Sequence, residues 1–461
     1  MKSATQALTE LWMAAGGDAE ALSLVAFSGA EPALPSSFAL GTAAQASIAA
    51  AGLAVTEIWK ARTGRAQNVS VDMRHAAIEF RSERYLRIDG QAPESLWGPI
   101  AGIYKAGDGR FVRLHTNFPH HRDNILRLLS CANTRDDVQK SLDGWAAENF
   151  ETQANESGCV VSMMRSPEEW ARHPQSSALA SLPVIEIEKI GDADPRPLPP
   201  GSRPLSGIRV LDLTRIVAGP VGGRTLAAHG ADVMLISSPK LPFVDWLVKD
   251  TGRGKRSAFA DLETAEGRAA LRTLVTNADI FSQAYRPQAL ARYGFSPEEL
   301  AAIRPGIVYV TLSAYGHTGP WAARRGFDSL VQTATGFNYE EGRAAGIEGP
   351  REWPAQALDH ASGYLMAFGA MMARLRQSRE GGSWLVRVSL AQTGRWIAGL
   401  GRVENGLAAH DPKLEDVQDL LEDSASPFGA FRAVRHAAQF SETPAHWALP
   451  AVPLGTDAPR W

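Results

Sequence analysis

IRVLDLTRIVAGPVGGRTLAAHGADVMLI, from Ile208 to Ile236, is the stretch on which the fold reading turns. Ile208 to Thr214 is a short apolar run of strand type. AGPVGGRTLAAHG reads as a helix with Pro220 in its first turn, where the missing N–H costs nothing, and ADVMLI is a second strand. The same alternation continues outward. DLETAEGRAALRTLVTNADIFSQ adds a helix and a strand, and GIVYVTLSAYG adds another strand after a further helical stretch. Strands alternating with helices predict an α/β fold with a Rossmann-like, doubly wound parallel sheet. The turn into the first helix is not a nucleotide fingerprint, because the glycine spacing is not GxGxxG and Ile236-Ser237-Ser238 offers no acidic residue to a ribose.

Upstream, DADPRPLPPGSRPLSG (Asp192 to Gly207) holds five prolines and reads as an exposed, extended linker. It predicts a division into a small α+β module at 1–191, a linker at 192–206 and a Rossmann-like domain at 207–461. Within the small module, GIYKAGDGRFVRLHTN carries a hairpin signal around Gly107-Asp108-Gly109, and helical, charge-mixed sequence follows to about Ala180. Near the other end, LEDVQDLLEDS reads as an acidic helix with a solvated face, ahead of an irregular, proline-rich tail.

The 461 residues are 44% hydrophobic and 21% charged, with a net charge of −3, so no basic field exists to attract nucleic acid or an anionic membrane. Small-molecule partners are expected instead. Cys131 and Cys159 stand apart, without CxxC or His/Cys ligand spacing, which points away from structural zinc and from a disulfide framework. His120-His121 suggests a surface or substrate-rim pair, since adjacent side chains rarely ligate one ion together. With no apolar run of membrane-span length and no signal-peptide core, the expected location is cytoplasmic.

An internal repeat supplies the strongest functional signal. ALDHASGYLMAFGAMMARLRQSREGGSWLVRVSLAQ (Ala357 to Gln392) echoes ALGTAAQASIAAAGLAVTEIWKARTGRAQNVSVDM (Ala39 to Met73). Each has a small-residue entry, an apolar run of helical length, a basic stretch with Gly and an alternating strand. Gly41 stands where Asp359 stands. A carboxylate at that place is either an N-cap or a reactive group. TGRGKRS (Thr251 to Ser257) concentrates cations among glycines, as an anion cradle does, and SAYGHTGPWAARRGFDSL joins Tyr315 to a Gly/Pro turn and paired arginines.

PLSGIRVLDLTRIVAGP, GADV, RGKRSAFADLETAEGR, ADIFSQAYRPQALARYGF, RPGIVYVTLSAYGHTGPW and GFDSLVQTATG, in this order, resemble the motifs of the class III coenzyme A transferases. The family includes formyl-CoA transferase, the carnitine CoA-transferases and a racemase branch. AGIYKAGDGRFVRL, the stretch around Trp145 and VVSMMRSPEEWARHPQ resemble the family's small domain. That domain normally follows the catalytic part, so the chain looks permuted or partially duplicated.

The resemblance implies that Asp359 is the nucleophile in CoA transfer from an acyl-CoA thioester to a carboxylic acid. Arg215, Ile216 and Ala218 would then line the CoA site, and Lys255 and Arg256 would meet its phosphates. Tyr285 and Arg292 would hold the adenine and phosphate end, with Tyr315 near the pantetheine or acyl group. CoA enters as substrate, no tightly bound cofactor or metal is expected, and the family's assembly implies a homodimer. An aspartate with a reference pKa of about 3.9 is ionised at neutral pH and needs no adjacent base. Two alternatives stand beside transfer. An alpha-methylacyl-CoA racemase would need the histidine of a GHD motif where this chain has Phe327, unless His360 took its part, and a non-catalytic CoA-binding subunit would keep the motifs without the chemistry. No counterpart of formyl-CoA transferase's glycine-rich lid stands between His75 and Gly102, so oxalate and formate are not implied as substrates.

Overall fold

The structure is a computed structural model that describes residues 1–93 and 95–461. Its main sheet has seven strands: β1 (Ile185–Gly191), β2 (Arg209–Asp212), β3 (Asp232–Ser237), β4 (Lys255–Phe259), β5 (Ile280–Gln283), β6 (Val308–Ser313) and β7 (Ser383–Ser389). They lie in the order β4-β3-β2-β5-β6-β7-β1. β2 to β7 are all parallel, in the Rossmann order, and β1 closes the edge antiparallel to β7. Successive residues along each strand face opposite layers, so Val210, Val233, Ile280, Val308 and Val386 feed one apolar core while Leu211, Met234, Phe281, Tyr309 and Leu385 feed the other.

Four helices build and flank the candidate site: α1 (Leu40–Thr63), α2 (Ala218–Ala228), α3 (Asp328–Ala334) and α4 (Ala357–Glu380). α1, α2 and α4 share the first core, and α4 packs against both of the others. The α2–α4 crossing is close because both helices present glycine there. A Cβ on Gly222 would stand 2.9 Å from the Gly363 carbonyl oxygen, and one on Gly363 would stand 2.4 Å from that of Ala218. α1 and α4 are the two copies of the sequence repeat, each 24 residues long. The strand after α1, Val69–Asp72, pairs in parallel with Val25–Ser28, as β7 pairs with β6. The copies therefore agree in a strand–helix–strand unit.

A separate small sheet, Gly102–Lys105, Phe111–Leu114 and Val161–Met163, contains the expected hairpin. With the helices Pro119–Leu129, Arg135–Leu142 and Ala147–Glu156 it forms an α+β module around its own core.

Three expectations change. β1 lies upstream of the proline-rich segment yet belongs to the main sheet, so the division at 192–206 does not coincide with the sheet's edge. The proline-rich segment is irregular, as expected, but Arg62 of α1 binds the carbonyls of Pro199, Pro204 and Ser206, and Arg374 of α4 binds those of Arg196 and Pro197. The acidic stretch is not an α-helix: Leu414–Leu420 is 3-10, and Leu421–Ser426 is a strand in a hairpin with Gly429–Val434. Beyond Phe440 the tail is irregular and docked, with the Trp447 and Trp461 indoles donating to the carbonyls of Arg224 and Leu274.

Candidate active site

Gln356, ahead of α4, makes no side-chain cap to the helix. The cap comes from another element. Asp328, the first residue of α3, accepts the backbone N–H of Asp359 at 3.0 Å through Oδ2 and the Gln332 amide through Oδ1. Asp359 is therefore not the N-cap, and its own carboxyl makes no hydrogen bond to another side chain or to the backbone among the described residues. Asp328 is 1% exposed and Asp359 8%.

Two buried carboxyls at one helix start oppose each other's ionisation. Burial pushes Asp359 well above the ordinary range, and the Asp328 and Glu83 carboxylates push the same way. Burial likewise raises Asp328, to about 6, against the hydrogen bonds it accepts from Asp359, Gln332 and Leu358. Ionising Asp359 therefore works against its burial and against two neighbouring carboxyls, which the reading of an isolated aspartate leaves out. Beside it, His360 Nε2 lies 3.2 Å from Glu83 Oε2, the ring stacks on Phe80 at 5.5 Å, and Nδ1 is buried without a partner among the described residues. For Glu83, burial is outweighed by the hydrogen bond and charge of His360, which hold its carboxyl below the usual range. Phe327, where a racemase histidine would stand, lies face to face with His115 at 3.8 Å.

The carboxyl ends of β2 and β5 mark the point where the sheet's winding reverses, which is where open α/β sheets bind ligands. Arg215 and Ile216 follow β2 and line a cleft beside that point, at the carboxyl ends of β2 and β3, with Thr214, Ser238 and Phe243. Arg215 donates to the Pro242 carbonyl and lies 5.3 Å from the centre of the Phe118 ring. Ile216 is held at φ +75°, a left-handed backbone that a β-branched residue adopts only under strain. Ala218 begins α2 and is buried beneath the cleft. Tyr285 lines a second pocket, across the ends of β5, β6 and β7, with Gln283, Arg286, Thr311 and Arg387. Arg292 is exposed on a 3-10 turn beside it, stacked over Tyr293.

The remaining candidates are corrected. Lys255 is 2% exposed and forms an ion pair with the wholly buried Asp212 at 2.8 Å, also donating to the Pro220 carbonyl. It faces the core and cannot reach a phosphate. Arg256 is paired with Asp232 and holds the Arg460 carbonyl, and Arg253 is buried against Asp250, Glu422 and the Val434 carbonyl. The anion cradle is therefore the start of β4, with each cation already satisfied. Tyr315 is fully buried, its hydroxyl 3.2 Å from Ser162 Oγ of the small module. His120 and His121 lie against Phe118 and Phe327, and among the described residues no group of three metal-ligating side chains occurs. Sequence reading missed Asp328, Glu83 and Asp212. Asp328 stood in the GFDSL motif, where Phe327 drew the attention instead.

Residues 205–449 match the model of CoA-transferase family III, and the chain belongs to that family. It is 28% identical over 385 residues to the acetyl-coenzyme A transferase nodX of Hypoxylon pulicicidum, covering 72% of this chain and 64% of that protein. It is 39% identical over 158 residues to a succinate–glutarate CoA-transferase of Agrobacterium fabrum, covering 30% of this chain and 40% of that one. The chain thus matches less than two thirds of the length of these relatives. A crystal structure of a hypothetical protein from Mycobacterium tuberculosis is 31% identical and aligns over 43% of this chain and 57% of its own, with a TM-score of 0.38. Among the described residues no helix is long and apolar enough to cross a membrane.

Proposed function

We propose that the chain transfers CoA from an acyl-CoA thioester to a carboxylic acid, with Asp359 as the covalent carboxylate. The carrying observation is the family match across 205–449, which includes a buried aspartate in the first turn of a long helix with its carboxyl unengaged. The Asp359 carboxylate adds to the thioester carbonyl, and the C–S bond breaks to give a mixed anhydride and CoA thiolate. That thiolate attacks the aspartyl carbonyl of the anhydride, releasing the first acid and leaving an aspartyl-CoA thioester. The acceptor's carboxylate opens this thioester, and the returning thiolate takes the new acyl group. Burial suits the sequence of steps because water would hydrolyse the anhydride. The first turn of α4 directs its dipole at the charge that develops there.

Arg215, Ile216 and Ala218 are proposed to line the CoA site, with Tyr285 and Arg292 toward its adenine and phosphate end. CoA is a substrate in this reading, no tightly bound cofactor is invoked, and the setting is cytoplasmic. The assembly proposed is a homodimer, whose interface must avoid α1 and α4 because both are buried in their own chain. Light scattering at dilute concentration tests it, and a stable, active monomer would refute it.

The test of the activity is intact-protein mass spectrometry after incubation with a panel of acyl-CoA donors and carboxylate acceptors. A covalent adduct on Asp359 and acyl exchange are expected. Stabilisation by free CoA, with neither adduct nor exchange from any donor, would favour the CoA-binding alternative.

A further inference from the structure

A cavity of about 330 Å³ opens where the two repeat copies meet the segment that follows the small module, and no step of CoA transfer uses it. Its walls are apolar and come from distant parts of the chain. Phe38 stands just ahead of α1, Trp170 and Leu179 come from the helices Pro167–Arg172 and Pro174–Leu179, Phe337 opens the helix Phe337–Ala344, and Ala391 and Ala398 lie on the helix Leu390–Gly399. Three ionic side chains complete the lining: Arg395, Arg402 and Glu340. Arg402 lies over the Phe38 ring at 3.8 Å and pairs with Glu340 at 3.5 Å, so those two charges answer each other. Arg395 has no carboxylate partner among the described residues. Its Nη1 donates to the carbonyls of Leu179 and Ala180 at 3.1 and 2.7 Å, which holds the guanidinium in place and leaves Nε and Nη2 without a partner among the described residues. Phe337 is the wall nearest the nucleophile. A Cβ on Gly394 would stand 2.8 Å from the Phe337 ring and 3.3 Å from Leu358 Cδ2, so the cavity is separated from the start of α4 only by these two side chains.

We propose that this cavity binds a carboxylic acid with a medium-length apolar chain, its carboxylate on Arg395 and its chain between Phe38, Trp170 and Phe337. Size sets the chain length. An engineered cavity of ~150 Å³ takes benzene, so a cavity of about 330 Å³ suits roughly a dozen heavy atoms, the size of octanoate or decanoate. Charge sets the head group. Nε and Nη2 share one edge of the guanidinium, the edge that grips a carboxylate through two parallel N–H bonds. A thioester carries no such anion at its reactive end, which makes a free acid the better fit. The site would then hold, beside the nucleophile but out of its reach, the class of molecule that CoA transfer consumes and releases. That consequence rests on the CoA-transfer reading, whereas the binding does not.

Titration calorimetry of the full chain with butanoate, hexanoate and octanoate, in the absence of CoA, tests the site. Affinity should rise by about fourfold for each methylene buried. Removing the anion or its partner should weaken binding by about tenfold or more, as read with 1-octanol on the wild type and with octanoate on Arg395→Leu. Ala398 is exposed at the cavity's edge, so Ala398→Trp puts a ring into the space and should abolish octanoate binding while CoA affinity stays. Should that variant fail to fold, Ala171→Trp fills the cavity from another exposed position on its lining. No binding of octanoate at millimolar concentration would overturn the proposal, as would octanoate affinity unchanged in Arg395→Leu or in the folded tryptophan variant. Octanoate binding as expected in a chain that forms no acyl adduct with any donor would leave the site standing and remove only its link to transfer.

Discussion

Replacing Lys255 with methionine separates a phosphate-binding role for this residue from a structural one. If it met CoA phosphates, the loss would appear in binding. In the structure its ammonium is the counter-ion of Asp212, whose remaining partners are the backbone N–H and hydroxyl of Thr214. Both members of the pair are buried, so Lys255→Met strands an anion in the core beneath α2. Breaking a buried pair from one side costs roughly 3–5 kcal/mol. Against the roughly 5–15 kcal/mol that holds a typical protein folded, that is a large fraction. The urea midpoint followed by circular dichroism should fall sharply, while CoA affinity in the surviving folded protein, measured by calorimetry, should change little. Adding Asp212→Asn should recover much of the loss, because removing both charges removes the stranded anion. An unchanged midpoint with CoA binding weakened about tenfold or more would refute the reasoning and restore the phosphate contact.

Asp359→Asn should abolish the covalent adduct and lower transfer by several orders of magnitude with CoA affinity retained, as read by mass spectrometry and calorimetry; near-normal turnover, with deamidation excluded, would count against the nucleophile. Gly41→Asp should create no activity and should lower the melting temperature, because its Cβ would stand 2.8 Å from that of Ala33 and 3.0 Å from a Glu31 carboxylate oxygen. Asp328, raised in the folded state from an ordinary 3.8 to about 6, contributes stability that is present at low pH and lost as pH rises between those values. Urea midpoints taken across that window should therefore fall less steeply in Asp328→Asn than in the wild type, and parallel profiles would contradict the raised value.

The parallel sheet was legible from β2, β3, β5 and β6, each an apolar run beside a helix, whereas the KRSAF of β4 reads as a cation cluster rather than a strand. β1 escaped notice because an antiparallel edge strand such as IEIEKIG needs no crossover helix to announce it. LEDVQDLLEDS carries helical spacing, but its second half pairs with Gly429–Val434, and that tertiary pairing outweighs a local preference. Asp359 could be found because the repeat supplied its own control at Gly41. The fate of Lys255 and Arg256 could not be found that way. A run of cations looks the same in sequence whether its partners are phosphates or Asp212 and Asp232, which lie at distant positions and meet them only across the folded sheet.

The pairing of α1 with α4 joins two related halves that are not obliged to match. In an assembly of identical chains, any change at the helix start appears in every copy at once. Here one polypeptide carries both versions, so a glycine could replace the acid in one while the other kept it. Each half is then free to specialise: Gly41 lets Glu31 and Ala33 close tightly over one helix start, and Asp359 leaves a buried, unengaged carboxyl at the other. The first copy has become a fixed wall for the second, and its Glu79 and Glu83, a few residues beyond the repeated strand, bind Tyr364 and His360 on the helix that bears the acid.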